Sequence, residues 1–347
     1  MNPVKTRTKV MPISGSKIVN HIGASVLLAR CGYVPDIILA SSGGCITAIM
    51  EIAADIASVE CFGSCESFEA KLKYLTKHFS TKNYCKPWCS IAPLNTCLAL
   101  GRGSLFDTGT GADFIDPDTV DFSGQPELWI GTTEYATKKS QLFCTKTRQE
   151  ARLQFDGAIY LAENVPEILD ATTASSAIQT IVPCINIRGK HYQDGGHSRA
   201  SPLGPFIEAH QEHNISYHVV YISPVRYNKN DDPHERELED DDIWNRLRAG
   251  TGKMLTDWHV PDRNNGVRMV HEAAAERGGR VYKQKGIGIE ALKEFLNIQE
   301  EAYASFIEIA PLKACCVRFL FMQKGDMYKG VCESLENGYS IRHWYVM

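Results

Sequence analysis

The segment Ile37-Ile38-Leu39-Ala40-Ser41-Ser42-Gly43-Gly44-Cys45 constrains this chain more than any other. Four apolar residues in a row suit a strand buried on both faces, the habit of parallel sheets. Pro35-Asp36 opens that run, and two glycines close it before Cys45 to Ala57 takes up a helical apolar spacing. A strand that turns this sharply into a helix has room only for small residues two before and two after the turning residue. With Ser42 at the turn, those positions are Ala40 and Gly44. With Ser41 they are Leu39 and Gly43, and Leu39 would clash. Ser42 is therefore the better-placed candidate nucleophile. On this motif alone, a plain strand-to-helix turn with a serine cap stays open.

The residues upstream repeat the alternation of strand and helix. Lys9 to Ser14 reads as a strand ending at Gly15. Ile18 to Cys31 is apolar at helical spacing through Ile18, Ile22, Val26 and Ala29, and Gly32 is a natural stop. Strand, helix, strand, turn, helix predicts an α/β fold. Further on, Ser67 to Phe79 and Val165 to Ala177 read as helices. Glu127 to Thr132 and Ser140 to Thr145 read as a strand pair, Ile185–Ile187 and Lys190–Gln193 as extended pieces around Gly189, and His218 to Ser223 as a buried strand. Ile289 to Ile309 and Gly325 to Tyr345 read mainly as helix. Asn228 to Asp242 is rich in acid and reads as a solvated loop or helix face.

Composition narrows the function classes. Of 347 residues, 44% are hydrophobic and 22% charged, which suits a globular protein with a packed core. A formal net charge of −4 argues against a dedicated nucleic-acid binder. The apolar stretch after Lys5, Arg7 and Lys9 is broken by Pro12, Gly15 and Lys17, so no signal peptide is expected. The best candidate for a span, Ile22 to Ala40, contains Arg30 and Asp36, so no transmembrane segment is expected either. The expected setting is cytoplasmic, with twelve reduced cysteines and at most a peripheral hold on membranes.

A nucleophilic serine needs a base and a site for an oxyanion. Gly15-Ser16-Lys17, at the end of the preceding strand, can aim backbone N–H groups at the turn. The Gly43 N–H, first in the next helix, adds a donor and the positive end of the helix dipole. For the base, His191 and His197 flank Tyr192-Gln193-Asp194-Gly195-Gly196 and admit a Ser-His-Asp triad.

Three separated blocks resemble the patatin-like phospholipase family. His21-Ile22-Gly23, Leu27-Leu28, Gly32, Pro35-Asp36 and Ala40-Ser41-Ser42-Gly43-Gly44 are similar to the pattern H-I-G…L…G-x-x-P-D…G-T-S-A-G. Ala174-Ser175-Ser176-Ala177 with Pro183 resembles the segment A-S-x-A and its following proline. Asp194-Gly195-Gly196, then Ser201-Pro202-Leu203, resembles D-G-G/A followed by a polar residue, proline and an aliphatic. The order also matches. The resemblance implies a three-layer α/β/α patatin-like fold with a central, mostly parallel sheet. It assigns residues 8–205 to the phospholipase domain and leaves 206–347 as a partly helical C-terminal region that completes or covers the core.

The family implies a dyad in place of a triad. Ser42 is then the nucleophile and Asp194 the general base. Gly195 and Gly196 allow a tight turn beside the carboxylate, and Gly15, Ser16 and Gly43 supply the oxyanion donors. The implied activity is hydrolysis of fatty acyl esters of phospholipids, of phospholipase A or lysophospholipase type, through an acyl-enzyme. The implied partner is an acyl-lipid substrate met at a membrane or micelle surface, with no metal and no cofactor. Two features depart from the pattern. Ala40 stands for the first glycine of the turn. The loop Ser14 to Asn20 has one glycine where the family has G-G-G-x-R/K-G, and is two residues shorter before His21. These departures support the alternative of a catalytically weak or inactive lipid-binding scaffold. A third possibility, the α/β-hydrolase fold, is disfavoured because its elbow follows several strands and its acid precedes a histidine.

Other constellations are weaker. Cys61, Cys65, Cys85 and Cys89 form C-x3-C…C-x3-C, unlike the spacing of most zinc ribbons, and are expected to be reduced thiols. Cys315 and Cys316 are expected in a buried apolar element. Trp88, Ile91 and Leu94 suit either ordinary packing or a lid over a lipid site.

Overall fold

Ile37, Ile38, Leu39 and Ala40 are fully buried, as are Val10 and Met11, so the strands that carry them lie in the middle of a sheet and not at its edge. The computed structural model describes residues 4–59, 65–80, 85–86, 104, 107–108, 115–178, 181–199, 201–212, 215–225, 261–317 and 322–347. Its strands are β1 (Val4–Met11), β2 (Ile37–Ser41), β3 (Cys85–Lys86), β4 (Asp107–Thr108), β5 (Glu127–Glu134), β6 (Ser140–Cys144), β7 (Ile159–Tyr160), β8 (Ile185–Ile187), β9 (Lys190–Asp194), β10 (Ile215–Ile222), β11 (Tyr282–Ile287), β12 (Ala304–Pro311) and β13 (Tyr339–Val346). β3 and β4 pair with each other, and the remaining eleven form one sheet.

The centre of that sheet is parallel in the order β12-β10-β1-β2-β5. Antiparallel strands extend both sides, β13 and β11 beyond β12, and β6 and β9 on β5. The architecture is the α/β patatin-like one implied by the sequence blocks. β10 to β13 all come from beyond residue 205 and lie in this same sheet.

Helices α1 (Ile18–Arg30), α2 (Gly43–Ala53), α3 (Cys65–His78), α4 (Val165–Ser175), α5 (Leu203–Glu212), α6 (residues 261–277), α7 (Gly288–Glu301) and α8 (Asp326–Asn337) cover the sheet. Ala48 and Ile49 of α2, Ile168 and Ala171 of α4, and Leu292 and Phe295 of α7 pack on one face. Leu203 and Phe206 of α5, with Met269 and Val270 of α6, pack on the other. The opposite sides of α1 and α2 are covered by Phe68 and Leu72 of α3 and Met327 and Val331 of α8. This double covering explains why α1 and α2 are apolar all round. Among the described residues, no helix is long and apolar enough to cross a membrane.

Two expected long helices each prove to be a helix followed by a strand. α7 ends at Glu301, and β12 carries Phe306, Ile307 and Ile309 through the core. β12 is buried on both faces, so it lacks the alternation that marks a half-exposed strand. α8 stops at Gly338, whose φ of 75° a helix does not continue through, and β13 begins at the next residue. Cys315 is buried, whereas Cys316 is exposed, because the stretch carrying them is irregular and turns one thiol outward. The acidic run Asn228 to Asp242 lies outside the described residues, as do Trp88, Ile91 and Leu94.

Candidate active site

Strand β5 aligns two chain segments that are far apart in sequence. Ser41 of β2 lies opposite Gly131, and Asp194 of β9 lies opposite Thr132, the next residue. β2 runs parallel and β9 antiparallel to β5 along the same edge, so their C-terminal ends meet head to head. Ser42 follows one end, and Asp194 is the other. The hydroxyl of Ser42 donates to Asp194 Oδ2 at 2.7 Å.

The turn at Ser42 is forced. Its φ and ψ of 54° and −129° lie in a region that non-glycine residues seldom occupy, at a typical cost of about 1–3 kcal/mol. Gly44 is required by close approach, since a Cβ there would sit 2.0 Å from the Met11 carbonyl oxygen. A Cβ on Gly195 would sit 2.3 Å from the Gly131 carbonyl oxygen, so β9 leaves Asp194 against bare backbone. Gly43 packs against Ser14, and Gly196 against Ile13. Ala40 is fully buried in β2 between Met11 and Ile130.

The pair is closed off from solvent, Ser42 and Asp194 each being 3% exposed. Burial pushes the Asp194 carboxyl up to about 6, while its bonds to the Ser42 hydroxyl and the Gly196 N–H act the other way. That N–H donates to Oδ1 at 2.7 Å. The carboxylate is thus ionised at neutral pH and more basic than one in water.

Of the expected oxyanion donors, Gly43 and Gly15 lie beside the elbow. Gly43 opens α2, so its end of the helix dipole faces the turn. A Cβ on Gly43 would fall 3.4 Å from the Gly15 nitrogen, which places that loop against the elbow. Gly15–Lys17 forms a turn of 3-10 helix with Gly15 at a φ of 49°. The Val317 N–H donates to the Ser16 carbonyl at 2.9 Å, so the C-terminal region braces the shortened loop.

His191 and His197 are exposed, and the Ser42 hydroxyl meets a carboxylate and not an imidazole. The Ser42 hydroxyl thus has a carboxylate as its acceptor, and neither flanking histidine is among its described partners. Two further contacts had no assigned role in the sequence reading. Ser175 Oγ accepts the Ser42 N–H at 2.8 Å and donates to the Gly131 carbonyl at 2.6 Å. The A-S-S-A block was the signal for Ser175, though only its place in the fold shows what the hydroxyl touches. Among the described residues, no group of three or more His, Cys, Asp or Glu side chains is placed to hold a metal. Cys61 and Cys89 of the C-x3-C pairs lie outside the described residues.

The sequence profile of the patatin-like phospholipases matches residues 15–207. No curated protein sequence matches the chain. One solved structure that aligns with it is VipD from Legionella pneumophila, at 11% identity and a TM-score of 0.33. The alignment covers 65% of this chain and 51% of VipD, so the chain spans about half the length of that protein.

Proposed function

The chain belongs to the patatin-like phospholipase family, a family of lipid acyl hydrolases, and from that premise we propose that it cleaves fatty acyl esters of phospholipids or lysophospholipids through Ser42 and Asp194. The observation that carries this reading is the 2.7 Å hydrogen bond from a hydroxyl on a strained elbow to a buried carboxylate. Ser42 Oγ attacks the ester carbonyl as Asp194 takes its proton. The tetrahedral oxyanion is received by the backbone N–H of Gly43 and by the Gly15–Ser16 loop. The intermediate collapses, the C–O bond breaks, and Asp194 returns the proton to the departing alcohol. Water then attacks the acyl-Ser42 ester with Asp194 again as base, the acyl–Oγ bond breaks, and Asp194 returns the proton to Ser42 as the fatty acid leaves. The substrate is met at a membrane or micelle surface, where the protein docks transiently.

The competing reading is a lipid-binding scaffold with weak or no activity. It is favoured by the single-glycine loop, curled into a 3-10 turn with its Ser16 carbonyl already engaged by Val317. One experiment decides between them. A fluorogenic long-chain acyl ester and mixed phospholipid vesicles are offered to the wild type, Ser42→Ala and Asp194→Asn, with and without chelator. Hydrolysis lost in both variants and indifferent to chelator supports the dyad. Vesicle binding without hydrolysis by the wild type supports the scaffold.

A further inference from the structure

Three consecutive residues at the end of α4 touch both members of the pair. The Ser42 N–H donates to Ser175 Oγ at 2.8 Å. Ser176 Oγ donates to the Ser42 carbonyl at 3.2 Å, a proton it shares with the Thr172 carbonyl at 3.0 Å. The Asp194 N–H donates to the Ala177 carbonyl at 3.0 Å. Both peptide groups that flank the Ser42 Cα are therefore pinned by this strip, which also holds the start of the Asp194 turn. Ser175 closes the set by donating to the carbonyl of Gly131, the residue opposite Ser41 on β5.

We propose that Ser175 is a positioning residue for acyl transfer, and that the strip 175–177 is the spacer that keeps Ser42 Oγ within hydrogen-bond reach of Asp194. This rests on the Ser42–Asp194 reading above. Ser175 is fully buried and its hydroxyl is engaged by the Ser42 N–H and the Gly131 carbonyl, so it acts through Ser42. Its hydroxyl is the shared partner of the Ser42 N–H and the Gly131 carbonyl. Deleting it orphans both groups in the interior. The elbow, held in a disfavoured conformation, then relaxes and carries Ser42 Oγ away from the carboxylate. A misplacement of about 1 Å between reacting groups costs about a hundredfold in rate. Cys45 Sγ lies 3.2 Å from Ser175 Oγ and is a neutral thiol, because burial raises its pKa to about 12. It offers no substitute for the lost hydroxyl of the same strength.

The test compares Ser175→Ala, Ser176→Ala and Ser42→Ala with the wild type and with Thr172→Val. Thr172 is a buried residue of the same helix whose hydroxyl bonds only to the Ile168 carbonyl among the contacts seen. Each protein is measured for kcat and KM on the fluorogenic ester, for the rate of phosphonylation by a fluorophosphonate, and for Tm. In Ser175→Ala, kcat and phosphonylation fall together by about tenfold to a hundredfold, with KM within about twofold. Thr172→Val lowers Tm without changing either rate. Ser176→Ala gives a smaller fall, about threefold, because its proton is shared. Rates in folded Ser175→Ala within twofold of the wild type, or a change confined to KM, overturn the proposal. If Ser175→Ala does not fold, unchanged rates in Ser176→Ala overturn the spacer. A wild type that is neither hydrolytic nor labelled at Ser42 overturns the dyad, and this inference with it.

Discussion

The hydroxyl of Ser42 donates to Asp194 at 2.7 Å, and the hydroxyl of Ser201 donates to Asp262 at 2.6 Å. Desolvation pushes both carboxyls up to about 6. By distance and by acidity the pairs are nearly interchangeable, and their surroundings separate them. Ser42 occupies a strained turn between a buried strand and the start of α2, with Gly15 backbone against it. Ser201 accepts the Leu203 N–H at 3.2 Å, so its oxygen satisfies a backbone donor at the start of α5 and ties that helix to α6 through Asp262. A serine–carboxylate hydrogen bond is therefore not by itself a reactive site. What distinguishes the first pair is a backbone that turns sharply at the serine, with the start of α2 and the Gly15 loop packed beside it.

The sharpest way to break this comparison is to remove each serine in turn. Ser42→Ala lowers kcat by at least about 10³-fold, and Asp194→Asn by a similar factor, because the two act as a unit. Vesicle hydrolysis measures both, and substantial turnover by either variant removes the dyad from the reaction. Next in size is Gly44→Ala, whose methyl would collide with the Met11 carbonyl. It destabilises the fold by on the order of 3 kcal/mol and takes activity with it. A chemical melt indistinguishable from that of the wild type would show that the elbow has more room than this geometry allows.

The third prediction concerns pH. Only ionised Asp194 accepts the Ser42 proton, so kcat/KM falls roughly tenfold per pH unit below about 6. Asp262→Asn leaves that limb in place, which separates the two carboxyls by function. Stability runs the opposite way. Both groups are held above the unfolded carboxyl range, so their contribution is complete at low pH and fades as pH rises through about 6. Thermal melts across pH 4–8 check the sign. The smallest effect on turnover belongs to Ser201→Ala, which loses the hydrogen bonds to Leu203 and Asp262, each worth about 1 kcal/mol, and keeps kcat within about twofold. A large loss of turnover there would erase the distinction between the pairs.

Much of the site was legible because its constraints are local. The alternation of apolar run, tight turn and helix pointed to Ser42, and the small residues at positions 40 and 44 discriminated it from Ser41. The D-G-G block led to Asp194 through resemblance alone, since nothing near it in sequence says which distant side chain it meets. Ser175 was visible only as part of a block, because a serine at a helix end has many ordinary uses. The strand β12 was missed for a related reason. A run buried on both faces carries no period, and only its neighbours in the sheet settle whether it is helix or strand.

The sequence by itself determined the local geometry, meaning a buried strand, a tight turn of small residues at Ser42, and the flanking helices α1 and α2. These follow from sterics within a few residues. The tertiary structure alone decided that Asp194 meets Ser42. That choice depends on β2 and β9 ending opposite consecutive residues of β5, Gly131 and Thr132. It alone decided the acidity of Asp194, which is set by desolvation inside the assembled core and not by the residues on either side of it.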